Sequence, residues 1–147
     1  MAAYRAIEIL LVEDNPGDVR LTREALNENK IYNRLHVAKD GVEAMSFLRK
    51  LDGFRDAPRP DLILLDLNMP KKDGREVLTE IKTDDKLCSI PVVILTTSDA
   101  EDDIAKAYKT HANCYIRKPI DLGRFIEVVK IIENFWLTIV ELPPKTS

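Results

Sequence analysis

An α/β fold built on a parallel sheet is predicted by three observations. Short apolar runs of β type alternate along the chain with longer segments of helical period. Three of those runs, Ile7–Val12, Leu62–Leu65 and Val92–Leu95, are nearly continuous hydrophobics, as strands covered on both faces are. The length, 147 residues, suits one domain.

The predicted strands are Ile7–Val12, Arg34–Ala38, Asp61–Asp66, Pro91–Thr96 and Asn113–Arg117. Between and after them, helical spacing predicts Asp18–Asn29, Val42–Leu51, Asp73–Lys82, Asp99–Thr110 and Asp121–Leu137. Several of these segments begin near an aspartate, which helix N-termini favour, and Asp18 is read as a cap or first-turn acid. Parallel strands need crossover connections, so five such units make a sheet with helices on both faces. The expected architecture is a flavodoxin-like (βα)5 three-layer sandwich with strand order 2-1-3-4-5. The division expected is an N-terminal tail over 1–6, one domain over 7–137 and a C-terminal extension over 138–147.

Composition narrows the function. A formal charge of −3 and a pI near 5.5 argue against nucleic acid as the main partner, because neutralising phosphates requires a basic face. No apolar run approaches the roughly 20 residues that span a bilayer, and Met1–Ala6 has no secretory signature, so a cytoplasmic protein is expected. Cys88 and Cys114 form no CxxC pair and only two histidines accompany them, so reduced thiols are expected rather than a disulfide or zinc site. His36, inside a strand run, and His111 are assigned no chemical role.

In open parallel sheets ligands bind at the carboxyl ends of the strands. There the chain places Glu13-Asp14 after strand one, Asp66 at the end of strand three, Thr96-Thr97-Ser98 at strand four and Lys118-Pro119 after strand five. Two unit charges about 5 Å apart repel by ~3 kcal/mol at an effective dielectric near 20. A divalent cation removes that cost, and oxygen-only ligands that work beside phosphate point to magnesium. The bland alternative is that the acids merely cap helices. A carboxylate is also a nucleophile able to form an acyl phosphate, with magnesium and a lysine neutralising the transferred oxygens.

The segments Val12-Glu13-Asp14, Asp66-Leu67-Asn68-Met69-Pro70, Asp73-Gly74, Leu95-Thr96-Thr97 and Tyr115-Ile116-Arg117-Lys118-Pro119 resemble the motif set of response-regulator receiver domains (CheY-like). The resemblance runs from about Ile7 to about Asn134. It implies that Asp66 accepts a phosphoryl group, that Asp14 binds magnesium directly and Glu13 through metal-bound water, and that Asn68 contributes its backbone carbonyl. It further implies that Thr96 is the switch hydroxyl, that Lys118 pairs with a phosphoryl oxygen, and that Tyr115 turns inward when Thr96 moves. The expected function is a phosphorelay switch fed by a sensor histidine kinase, not a metabolic enzyme. Its output would be a repacked face made of the fourth helix, fifth strand and fifth helix.

The linker Leu51–Pro60, the segment Pro70–Leu78 and the Phe135-Trp136-Leu137 tail are similar to phytochrome-associated response regulators, implying a phytochrome-type kinase as donor. The last helix carries a second apolar stripe, Val128, Ile131, Phe135 and Ile139, beside the one that includes Trp136. Homodimerisation through it and the following extension is expected, against the alternative that the tail folds back over it. Rival readings are weaker. An aspartyl phosphohydrolase of the DxDxT type would need an acid where Asn68 stands, and a phosphate-cradling loop would need more glycine than Glu13–Asp18 has. Every acidic and lysine position is filled, so nothing in the sequence favours a pseudo-receiver that binds partners without being phosphorylated.

Overall fold

The computed structural model describes residues 6–28, 33–67, 73–96 and 114–117. Among the described residues there are five strands: β1 (Ile7–Val12), β2 (Asn33–Ala38), β3 (Leu62–Asp66), β4 (Val92–Thr96) and β5 (Cys114–Arg117). With them come helices α1 (Pro16–Glu28), α2 (Gly41–Arg49) and α3 (Gly74–Thr83). The strands form one parallel sheet in the order β2-β1-β3-β4-β5, the expected arrangement. The helices predicted over Asp99–Thr110 and Asp121–Leu137 lie outside the described residues, as do the tail over 1–5 and the extension over 138–147.

Alternate residues of each central strand face opposite layers. Leu10 and Val12, Ile63 and Leu65, and Val92 and Ile94 pack into one core with Met45, Phe47 and Leu48 of α2 and Val77, Leu78 and Ile81 of α3. Ile9 and Leu11, Leu62 and Leu64, and Val93 and Leu95 pack into the other with Ala25 and Leu26 of α1. Every residue of β3 is buried, which explains the unbroken hydrophobic run up to Asp66. Truncating one such leucine to alanine costs roughly 2–5 kcal/mol.

Helix starts differ from the sequence reading by a residue or two, for a common reason. Helix α1 begins at Pro16, not Asp18, because Asn15 caps it: the Asn15 side-chain oxygen accepts the Asp18 N–H at 3.1 Å, and proline suits the first helical position. Asp40 caps α2 by accepting the Glu43 N–H at 2.8 Å, and Asp73 caps α3 by accepting the Arg75 N–H at 2.8 Å. The long connection after α2 starts with Lys50 and Asp52 at positive φ (57° and 48°) and is pinned by Phe54, whose ring meets Phe47 edge-on at 5.6 Å. Cys88 is a free, exposed thiol.

Candidate phosphoacceptor site

Strand register brings the carboxyl ends together. Val12 pairs with Leu65, so Glu13 and Asp66 follow at the same level on neighbouring strands. Asp66 in turn pairs with Leu95, one residue before Thr96, and Thr96 pairs with Arg117. Chain direction places all these ends on one edge of the sheet, because every pairing is parallel.

At that edge Glu13, Asp14 and Asp66 each offer a carboxylate oxygen, and the three oxygens lie within 4.8 Å of one another. Glu13 and Asp66 are buried, at 1% and 3% exposure, whereas Asp14 is exposed. Glu13 is held from two sides. Its N–H donates to the Ala38 carbonyl at 3.0 Å, and its Oε1 accepts the Asn15 N–H at 3.1 Å. Two buried acids and one facing solvent give a site with an open side.

This arrangement weakens the helix-capping alternative. The three described helices are capped by the side chains of Asn15, Asp40 and Asp73, none of them a member of the cluster, although Glu13 Oε1 supports the first cap by accepting the Asn15 N–H. The donor set is oxygen only, which suits a hard divalent cation such as magnesium and not zinc.

Of the residues expected to act here, Glu13, Asp14 and Asp66 converge. Thr96 closes β4 and Tyr115 lies within β5, paired in register with Ile94. Asn68, Lys118 and the apolar stripe of Val128, Ile131, Phe135, Trp136 and Ile139 lie outside the described residues. Sequence reasoning missed two structural details around the site. One is the Asn15 cap, signalled by the pair Asn15-Pro16; the other is the crowding of Gly74 against Asp66 and Leu67, which only the assembled backbone reveals.

A doubly covered parallel sheet with an acid cluster at its carboxyl edge is the architecture of a receiver, and the chain belongs to the response regulator receiver domain family, which it matches over residues 9–130. Members of this class are signalling switches rather than metabolic enzymes. Among its relatives is Response regulator Rcp1 of Synechocystis sp., 51% identical over 135 residues that cover 92% of each chain. The solved structure of the phosphorylated cyanobacterial phytochrome response regulator RcpA superposes with a TM-score of 0.80 at 52% identity, covering 95% of this chain and 99% of that one. The Mn2+-bound form of Rcp1 gives a TM-score of 0.77 at 48% identity, covering 95% and 97%. Among the described residues no helix is long and apolar enough to cross a membrane.

Proposed function

We propose that this chain is a phosphorelay switch that takes a phosphoryl group from a phosphohistidine of a sensor histidine kinase onto Asp66. The observation that carries the reading is the gathering of Glu13, Asp14 and Asp66 within 4.8 Å at the carboxyl edge of the sheet. An Asp66 carboxylate oxygen attacks phosphorus; the P–O bond forms as the P–N bond breaks, and the imidazole leaves with a proton from solvent. Glu13, Asp14 and Asp66, with the Asn68 carbonyl, would hold magnesium, Glu13 through water rather than directly. Once bound there, magnesium supplies positive charge against the transferred oxygens. The donor set fits this ion, and the likeness to the Mn2+-bound form of Rcp1 supports a divalent site.

Lys118 neutralises the same phosphoryl group, and Thr96 donates its hydroxyl to it. Tyr115 then follows into the space that Thr96 vacates. These movements bias a two-state equilibrium and repack the face that includes Asp99–Thr110, β5 and Asp121–Leu137. Likeness to a regulator named for a phytochrome supports a phytochrome-type kinase as donor. Self-association through Val128, Ile131, Phe135, Trp136 and Ile139 is part of the same proposal and rests on the sequence stripe. Sedimentation as a monomer at tens of micromolar, phosphorylated or not, would remove it.

The central test is intact-mass measurement after incubation with acetyl phosphate, with and without Mg2+. One phosphoryl adduct that requires Mg2+ and is absent from Asp66→Asn is expected. An unmodified wild-type chain sinks the proposal.

A further inference from the structure

Gly74 opens α3 and sits against the backbone of the proposed acceptor. A Cβ on Gly74 would lie 2.3 Å from the Asp66 carbonyl oxygen, 2.7 Å from the Leu67 Cα and 3.0 Å from the Asp66 carbonyl carbon. All three are backbone atoms, so no rotamer change relieves the clash. The position demands space, not unusual dihedrals: Gly53 has φ 94° in open surroundings, whereas Gly74 has no such φ and no room.

The strand cannot recede to make that room. Asp66 pairs with Leu95 on β4, the Leu67 N–H donates to the Leu95 carbonyl at 3.2 Å, and β3 is buried along its whole length. The helix is anchored just as closely. The Gly74 N–H donates to the Leu67 carbonyl at 3.2 Å, and Asp73 closes the first turn by accepting the Arg75 N–H on its side chain and the Val77 N–H on its carbonyl.

We infer that Gly74 is a positioning residue for Asp66: the first turn of α3 is a backbone stop that fixes the peptide leading out of the acceptor. The inference rests on the phosphoacceptor reading above. Turning the Asp66 peptide turns its Cα–Cβ bond, and so moves the carboxylate relative to Glu13 and Asp14. Magnesium demands near-octahedral ligands, and displacement of a reacting group by about 1 Å can cost 10²-fold in rate.

The test compares variants at a temperature where circular dichroism shows each fully folded. Mg2+ affinity is read by titration calorimetry, and adduct formation by intact mass with acetyl phosphate at saturating Mg2+. Gly74→Ala is expected to weaken Mg2+ binding and slow phosphorylation by about ten-fold or more. Val77→Ala, which opens a void in the buried face of the same helix and leaves the Gly74 backbone contact with Asp66 in place, is expected to lower the melting temperature and leave both readouts at wild-type values. Equal readouts for Gly74→Ala and the wild type, or an equal loss in Val77→Ala, overturn the inference.

Should Gly74→Ala not fold, Asp73 decides. Asp73→Ala removes the cap and loosens the same turn, so both readouts should fall; Asp73→Ser restores a cap without the charge and should recover them. Failure of Asp73→Ala to alter either readout, or of Asp73→Ser to rescue, overturns the inference. A wild-type chain that neither binds Mg2+ nor forms the adduct overturns it together with the phosphoacceptor reading, whereas an active wild type with indifferent variants overturns the positioning role alone.

Discussion

Near the amino-terminal end of β1, Glu8 is surrounded by its complements. Its Oε2 lies 2.6 Å from His36 Nε2, its Oε1 accepts from Arg34 at 3.4 Å, and its backbone N–H donates to Asp61 Oδ2 at 2.9 Å. At the carboxyl end of the same strand, Glu13 shares its surroundings with Asp14 and Asp66, like charge beside like charge. The sheet thus has acids at both ends: the first cluster joins Glu8 to His36 and Arg34 of a neighbouring strand, and the second brings three carboxylates together. The difference teaches where chemistry can occur. An acid joined to fixed basic neighbours is held as structure, whereas three carboxylate oxygens close enough to share one cation offer a ligand site.

The largest expected effect tests the carboxyl end. Asp66→Asn should abolish the phosphoryl adduct altogether, while Glu8→Gln, at the other end of the sheet, should leave adduct formation intact; intact mass measures both. If Glu8→Gln also abolishes it, the two ends are not separable. Next, Mg2+ at about 100 times its dissociation constant should stabilise the wild type by ~2.7 kcal/mol in urea unfolding, by simple linkage. An Asp14→Ala, Asp66→Ala double variant should show no such gain.

A smaller effect sharpens the contrast without metal. In EDTA, Asp14→Asn should raise the unfolding free energy from urea titration by up to ~1 kcal/mol, since Asp14 is exposed and screened, and Glu8→Gln should lower it by a similar amount. Effects of the same sign would erase the distinction between the clusters. The smallest concerns Lys82, whose half-buried ammonium donates to the Cys88 and Ile90 carbonyls at 3.2 and 2.9 Å. Burial lowers its pKa below the ordinary 10.5, partly offset by Cys88. The unfolded chain therefore binds more protons than the folded one between the lowered value and 10.5, and stability from this group rises with pH across that window. Urea titrations at alkaline pH should show that rise in the wild type and a flatter profile in Lys82→Met.

Much of the frame was legible because β1, β3 and β4 are buried on both faces, and burial on both faces writes itself as unbroken Val, Leu and Ile. The edge strand β2 was found as Arg34–Ala38, one residue short, since its half-exposed residues alternate less clearly. The start of α1 was placed two residues late because an aspartate suits both a cap and a first turn: Asp18 is the first-turn acid, and only the hydrogen bond to Asn15 reveals the cap. His36 offered no sign of its partner, because Glu8 meets it only across two paired strands.

By itself, then, the sequence determined the type and order of the described elements and the residue types available at the strand ends. Both are local properties, set by side-chain periodicity and by which side chains carry charge. Tertiary structure alone decided that Glu13 and Asp66 stand level on adjacent strands, that Glu8 is matched while the Glu13 cluster is crowded, and that Gly74 has no room for a Cβ. These depend on distances between segments remote in the chain, which register and close packing set and local periodicity does not encode.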